Sequence, residues 1–205
     1  MTNDIPQTFT HVLVHDVLFA EQRVQESDTP THRRELVRAV FAAIEGLHWR
    51  LKRDVATHRH VIPGGLTAHE QAAMAEESYT VDERGHVSAI PRFLPLATAI
   101  RLVVRIVQRY RTDYKVDFDH VGWSNLKAAI DVRNRIIHPK QLKDLTISQE
   151  EIRQSMSAFA WILALNIEVL RETRDHSKNL GSVGLMARRE NSQCGVIGFG
   201  RSAEG

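Results

Sequence analysis

The chain has 205 residues, with 27 Lys and Arg against 25 Asp and Glu, which gives a formal charge of +2. This near balance is unlike the strong basicity of a dedicated duplex-DNA binder, although a local basic face is compatible with it. The single cysteine, Cys194, excludes an intramolecular disulfide. No apolar run approaches the roughly 20 residues of a membrane-spanning helix. We therefore expect one cytoplasmic domain with extensions and no membrane partner.

The amino-terminal residues 9–24 are apolar but mixed in pattern. Their spacing fits a helix better than a strand, although it also tolerates a strand. Asp28 or Thr29 is a candidate N-cap for the next helix, and Pro30 suits its first position. Residues 1–30 are therefore predicted to form a helical N-terminal extension.

Three stretches have the apolar periodicity of long helices, and they comprise residues 31–57, 92–111 and 148–174. The start of the third helix is indicated either by Thr146 with Gln149 or by Ser148 with Glu151. The third helix is apolar over a wide arc, which predicts burial on two sides, in a bundle or at a dimer interface.

A short insertion separates the first two long helices. Thr67 and Glu70 form a capping-box sequence, which predicts a short helix that continues to about Ser78. Residues 79–91 alternate around a turn at residues 82–85, which predicts a hairpin.

The last part of the chain, residues 176–205, holds six of the eleven glycines and little apolar periodicity. This composition predicts a flexible tail.

The helix predicted at residues 123–139 has an apolar face that polar residues interrupt. Helical spacing places three apolar residues on this face, namely Leu126, Ile130 and Ile137. The turn between them supplies Arg133 and Asn134 instead of an apolar residue, and His138 follows one turn later. Because the residue before a proline disfavours the helical conformation, Pro139 predicts that the helix ends near His138.

The loop before this helix, residues 112–122, is rich in carboxylates, namely Asp113, Asp117 and Asp119. It lacks the glycine and the distal glutamate of a calcium loop, so we predict no metal site. Ser124 is the candidate N-cap of the helix that follows.

Two interpretations of the polar helix end are open. In the structural one, Asp131 and Arg135 form an i, i+4 ion pair, Arg133 extends to solvent, and His138 caps the helix C-terminus. In the functional one, Arg133, Asn134 and His138 form a site.

Two interpretations are also open for Glu45 on the first long helix. It is either a solvated edge residue or a carboxylate that orients Arg133 or His138.

The residues Arg133-Asn134-Arg135-Ile136-Ile137-His138 resemble the signature of the HEPN superfamily. In that signature Arg is followed by a polar residue, often Asn, then three variable residues and His. Family members are helical bundles with this motif late in one helix and another long helix after it, and residues 31–175 resemble that arrangement. The resemblance implies an all-α, HEPN-like bundle of four to five helices, to which the sequence adds a small hairpin or irregular insertion and a flexible C-terminal tail.

The same resemblance implies a metal-independent endoribonuclease that needs no cofactor, with Arg133, Asn134 and His138 as catalytic residues. It also implies a homodimer in which two motifs face each other across a cleft. RNA cleavage needs a base that deprotonates the ribose 2′-OH, a group that stabilises the negative charge on the phosphate oxygens, and an acid that protonates the leaving oxygen. An imidazole suits the proton transfers, and a guanidinium fork binds two phosphate oxygens.

Further basic residues are candidates for RNA binding. Arg101, Arg105 and Arg109 recur every four residues along about 12 Å of helix, either as a solvated face or as a phosphate track. Arg135 and Lys140 flank the motif.

The leading hypothesis is a HEPN endoribonuclease, as a toxin or an antiphage defence effector, that leaves a 2′,3′-cyclic phosphate and spares DNA. One alternative is a non-catalytic RNA-binding or adaptor module. Another is a structural partner of a nucleotidyltransferase-type antitoxin or a defence-system protein.

Overall fold

Six α-helices and one antiparallel hairpin make up the described part of the chain, which in this computed structural model comprises residues 8–59, 62, 64–111 and 114–170. The helices are α1 (Phe9–Glu26), α2 (Pro30–Thr57), α3 (Ala68–Ala75), α4 (Leu96–Tyr110), α5 (Val121–Ile137) and α6 (149–170), and the hairpin strands are β1 (Glu77–Val81) and β2 (Val87–Pro91). A 3-10 turn, Leu142–Leu145, links α5 to α6. The chain is therefore mostly helical, as predicted. The predicted tail, residues 176–205, and the last predicted turn of α6 lie outside the described residues.

Helix starts follow the predicted capping residues at three places. The hydroxyl of Thr29 accepts the N–H of His32 at 3.2 Å, directly before Pro30. Reciprocal capping boxes open α3 and α6, formed by Thr67 with Glu70 and by Ser148 with Glu151. These bonds satisfy backbone donors that the first helical turn leaves unpaired.

The hairpin is present as predicted, but the helix before it is shorter than predicted. Glu76 adopts a left-handed conformation with φ 56°, which ends α3 at Ala75 and places Glu77 in β1. The two strands pair antiparallel, with Tyr79 opposite Ala89. Most hairpin side chains are exposed, so the hairpin projects from the helices rather than joining their core.

The core is built around α2, whose buried side chains include Val40, Ile44 and Leu47. Helix α1 packs along α2, and its Val17 is fully buried in the same core. The approach is close at Gly46, where an added Cβ would lie 2.7 Å from a methyl group of Leu13. Residues 9–26 of the predicted N-terminal extension are thus helical and pack against this core, whereas residues 1–7 lie outside the described residues. No helix within the described ranges combines the length and apolarity needed to cross a membrane.

Helix α4 begins later than predicted. The prediction started the helix at residue 92, but the helix begins at Leu96, immediately after Pro95. A residue before proline favours an extended backbone, which explains the delay. Its apolar residues Ile100, Val103 and Val107 are buried, as the helical periodicity of this stretch predicts.

Helix α5 begins at Val121 rather than at a cap on Ser124, so that prediction was wrong. The ring Nδ1 of His120 accepts the N–H of Gly122 at 2.9 Å and caps the helix in place of a hydroxyl. The hydroxyl of Ser124 instead donates to the carbonyl of Val121 at 2.9 Å.

The predicted apolar face of α5 was also misplaced at its C-terminal end. Ile137 is 42% exposed. The buried stripe runs through Trp123, Leu126, Ala129, Val132 and Ile136. Because each residue turns a helix by about 100°, the stripe passes beside Arg133. Arg133 therefore borders the core rather than interrupting it.

Candidate functional site

A cleft of about 630 Å³ lies beside α2, α5 and the segment that precedes α4. Arg133 and Asn134 line it from α5, and Glu45 lines it from α2. Its apolar wall comprises Phe41, Leu94, Pro95, Leu96, Ala99 and Ile130. Sites for small ligands enclose roughly 300–1,000 Å³, so this cleft has the size of a binding site.

The guanidinium of Arg133 is held by two groups. Its Nη2 donates to the Glu45 carboxylate at 2.8 Å, and its Nη1 donates to the side-chain carbonyl of Asn134 at 3.2 Å. The Arg133 Nε is buried without a hydrogen-bond partner. The Arg133 and Glu45 side chains are 31% and 47% exposed, so water screens the pair and its main effect is to fix the guanidinium plane. Glu45 thus lies where the orienting interpretation requires it.

His138 lies at the edge of this arrangement. It follows the last residue of α5, and its backbone N–H donates to the Asn134 carbonyl at 3.0 Å. Its side chain is exposed and does not line the cleft. The fold therefore brings Arg133, Asn134 and Glu45 together and leaves His138 beside them.

Two arginines predicted to bind RNA form ion pairs that link one helix to another. Arg109 donates to Glu70 at 3.0 Å and links α4 to α3. Arg135 donates to Glu151 at 2.8 Å and links α5 to α6. The predicted ion pair between Asp131 and Arg135 is replaced by this link to α6. Both guanidinium groups thus have structural partners.

The remaining basic candidates lie away from the cleft lining. Arg101 packs over the rings of Phe118 and Trp123, with centroid distances of 4.3 and 4.9 Å. Trp123 is about 15 Å along the helix from Arg133. Arg105 and Lys140 are exposed. The predicted arginine row of α4 therefore does not form a track that ends at the motif.

Helix α2 contributes two further polar residues to the cleft, His48 and Lys52. Burial, together with the nearby Lys52 ammonium, lowers the pKa of His48 from 6.5 to about 4, although Glu76 opposes the shift. His48 is consequently neutral at pH 7, and its Nε2 has no hydrogen-bond partner. The Lys52 ammonium forms an ion pair with Glu76 at 2.6 Å.

The sequence prediction missed most of this wall. On the first long helix it singled out Glu45, but neither His48 nor Trp49. The available signal was the spacing of Glu45, His48 and Lys52, which puts three polar side chains on one helical face. Phe93 had no comparable signal, because it reaches the cleft from a connecting segment.

Within the described ranges, no group of three or more His, Cys, Asp or Glu side chains is arranged to hold a metal ion. Comparisons of the chain with protein-family models, curated proteins and solved structures found no match. Function is therefore inferred from the cleft and the motif.

Proposed function

We propose that this chain is a metal-independent endoribonuclease of the HEPN type, which cleaves RNA by 2′-OH attack and leaves a 2′,3′-cyclic phosphate. One observation carries the proposal. Arg133 and Asn134, the first two residues of the Arg-Asn-x-x-x-His pattern, line a ligand-sized cleft in which Glu45 fixes the guanidinium. A toxin or an antiphage effector is the biological setting that fits such an activity.

Arg133 would bind the scissile phosphate. A guanidinium has five N–H donors. Glu45 and Asn134 each accept one and the Nε–H is buried, so two Nη hydrogens remain for phosphate oxygens. Charge-assisted bonds of this kind stabilise the negative charge that develops on the phosphate during attack. Glu45 would act as a positioning residue for this fork.

His138 would move the proton, either from the 2′-OH or to the leaving 5′-oxygen. Since it lies beside the cleft, the RNA would extend from Arg133 past the end of α5. A homodimer with facing motifs would add a second His138 and a second Arg133, and so provide both a base and an acid.

A non-catalytic RNA-binding or adaptor module is the second candidate. It is favoured by the position of His138 outside the cleft lining and by the existing ion pair of Arg133 with Glu45. This candidate predicts RNA binding without turnover. A structural partner of a nucleotidyltransferase-type antitoxin predicts that the Arg133→Ala change affects stability more than any activity.

The test is incubation of the full chain with end-labelled single-stranded RNA in EDTA, with His138→Ala in parallel. We expect cleavage by the wild type alone, cyclic phosphate ends and no cleavage of DNA of the same sequence. Cleavage that persists in His138→Ala, or that requires a divalent metal, would overturn the nuclease proposal. Binding without cleavage by either protein would establish the adaptor.

A further inference from the structure

Two aromatic side chains line the same cleft without being part of the motif. Trp49 on α2 is 47% exposed, and Phe93 before α4 is 80% exposed. Both also line an adjoining depression of about 480 Å³ beside the hairpin. The two depressions share these aromatic rings and together reach from Arg133 to β2.

The Trp49 indole is held in place on α2. The Arg53 guanidinium lies over its ring at 4.7 Å, and the Phe9 ring lies 6.1 Å away at an angle of 54°. A side chain that is already fixed loses little conformational entropy when a ligand packs on it. The exposed part of the Trp49 indole, on the side that Arg53 does not cover, is thus a prepared surface for a flat ligand.

The charges in the cleft are balanced. Arg133 is paired with Glu45, and Lys52 is paired with Glu76. His48 adds no charge at pH 7 because burial lowers its pKa to about 4. A cleft with balanced charges attracts a long run of phosphates only weakly. Attraction to phosphates is the main source of affinity for a duplex backbone. Ring surfaces and one guanidinium are the principal binding groups that remain.

His48 supplies a polar atom in the apolar wall. The residue is 6% exposed and lines the cleft, and its Nε2 is buried without a partner. Because this atom is closed to solvent, polar contacts to a base edge would come from the side chains of Arg133 and Asn134, which also line the cleft. Proteins recognise unstacked nucleobases by stacking them on aromatic side chains and by hydrogen bonds to the base edges.

We propose that the cleft binds one unpaired nucleobase of single-stranded RNA, stacked on Trp49 and Phe93, with the adjacent phosphate at Arg133. The inference rests on the proposed function in taking RNA as the ligand, but it does not require cleavage. It makes the two aromatic side chains determinants of specificity for unpaired RNA over duplex RNA.

The test compares a labelled single-stranded RNA decamer with an abasic ribose-phosphate decamer that carries the same phosphates. Binding is measured by fluorescence anisotropy in the His138→Ala protein, so that the RNA stays intact. Trp49→Ala and Phe93→Ala are added to this protein. Phe19→Ala is the matched control, because Phe19 is an exposed aromatic on α1 that does not line the cleft. Circular dichroism and thermal unfolding establish that each variant is folded.

We expect the abasic decamer to bind at least about fivefold more weakly than RNA, since stacking contributes on the order of 1–3 kcal/mol per base. Each cleft variant should weaken RNA binding by about five- to a hundredfold and leave abasic binding unchanged, whereas Phe19→Ala should have no effect. RNA should also quench the tryptophan fluorescence, and Trp49→Ala should remove most of this quenching, because Trp49 is exposed whereas Trp123 is buried and Trp161 is partly buried.

Equal affinity for both decamers, or no binding of either one, would overturn the inference. Unchanged RNA affinity in folded Trp49→Ala and Phe93→Ala would overturn it as well. These failures are distinguishable from failure of the nuclease proposal. Base-dependent binding without cleavage by the wild type would leave the inference standing, and cleavage without base-dependent binding would leave the nuclease standing.

Discussion

Acid should destabilise the fold through His48. Burial lowers the pKa of His48 from 6.5 to about 4 in the folded state, while the unfolded chain keeps the ordinary value. The unfolded state therefore binds the proton more readily, and stability falls as pH drops from about 6.5 to about 4. A difference of about 2.5 pKa units corresponds to roughly 3 kcal/mol of unfolding free energy once the pH is well below 4. About 2 kcal/mol of this is already lost at pH 5.

The measurement is urea unfolding of the wild type and His48→Met at pH 7 and pH 5. Methionine has a similar size and no titrating group, so it removes the His48 contribution at both pH values. The loss of unfolding free energy between pH 7 and pH 5 should be about 2 kcal/mol smaller in His48→Met than in the wild type. An identical loss in both proteins would refute the assignment of His48 as a buried neutral imidazole.

Two further substitutions test the packing of α5 and the role of the carboxylate. Gly122→Ala should destabilise the protein by about 1–3 kcal/mol in urea unfolding, because the new Cβ would lie 2.5 Å from the Trp161 ring; an unchanged midpoint would contradict this contact. Glu45→Gln should change stability by less than about 1 kcal/mol, since the pair is partly exposed. Glu45→Gln should also tighten RNA binding, because the Arg133 charge is no longer neutralised. It should slow RNA cleavage, because the guanidinium is less fixed. Faster cleavage by Glu45→Gln in a single-turnover assay would argue against a positioning role for Glu45.

Local signals predicted much of the fold. The capping boxes at Thr67 and Ser148 depend on residues three positions apart, so the sequence contains all of the interaction. The orientation of α5 was harder, because its buried face is chosen by the helices that pack on it. The prediction included Ile137 in that face, whereas tertiary packing selects Val132 and Ile136.

The candidate site was predictable only in part for the same reason. Spacing and the family resemblance singled out Arg133 and Asn134, and Glu45 was predicted to be either a solvated edge residue or a carboxylate that orients Arg133 or His138. The aromatic wall combines Trp49 on one helix with Phe93 on a connection 44 positions later in the chain. No periodic pattern links two such residues, so their meeting depends on how the hairpin and α4 follow α2.

The most direct test of the central claim is the rate of RNA cleavage in EDTA by the wild type, Arg133→Ala and Arg153→Ala. Arg153 is the control because it is a well-exposed arginine on α6, outside the cleft lining. Loss of a group that stabilises transition-state charge slows catalysis by roughly a hundred- to a thousandfold. We predict that Arg133→Ala slows cleavage by this factor and that Arg153→Ala cleaves RNA at the wild-type rate. Cleavage by folded Arg133→Ala at the wild-type rate would contradict the account.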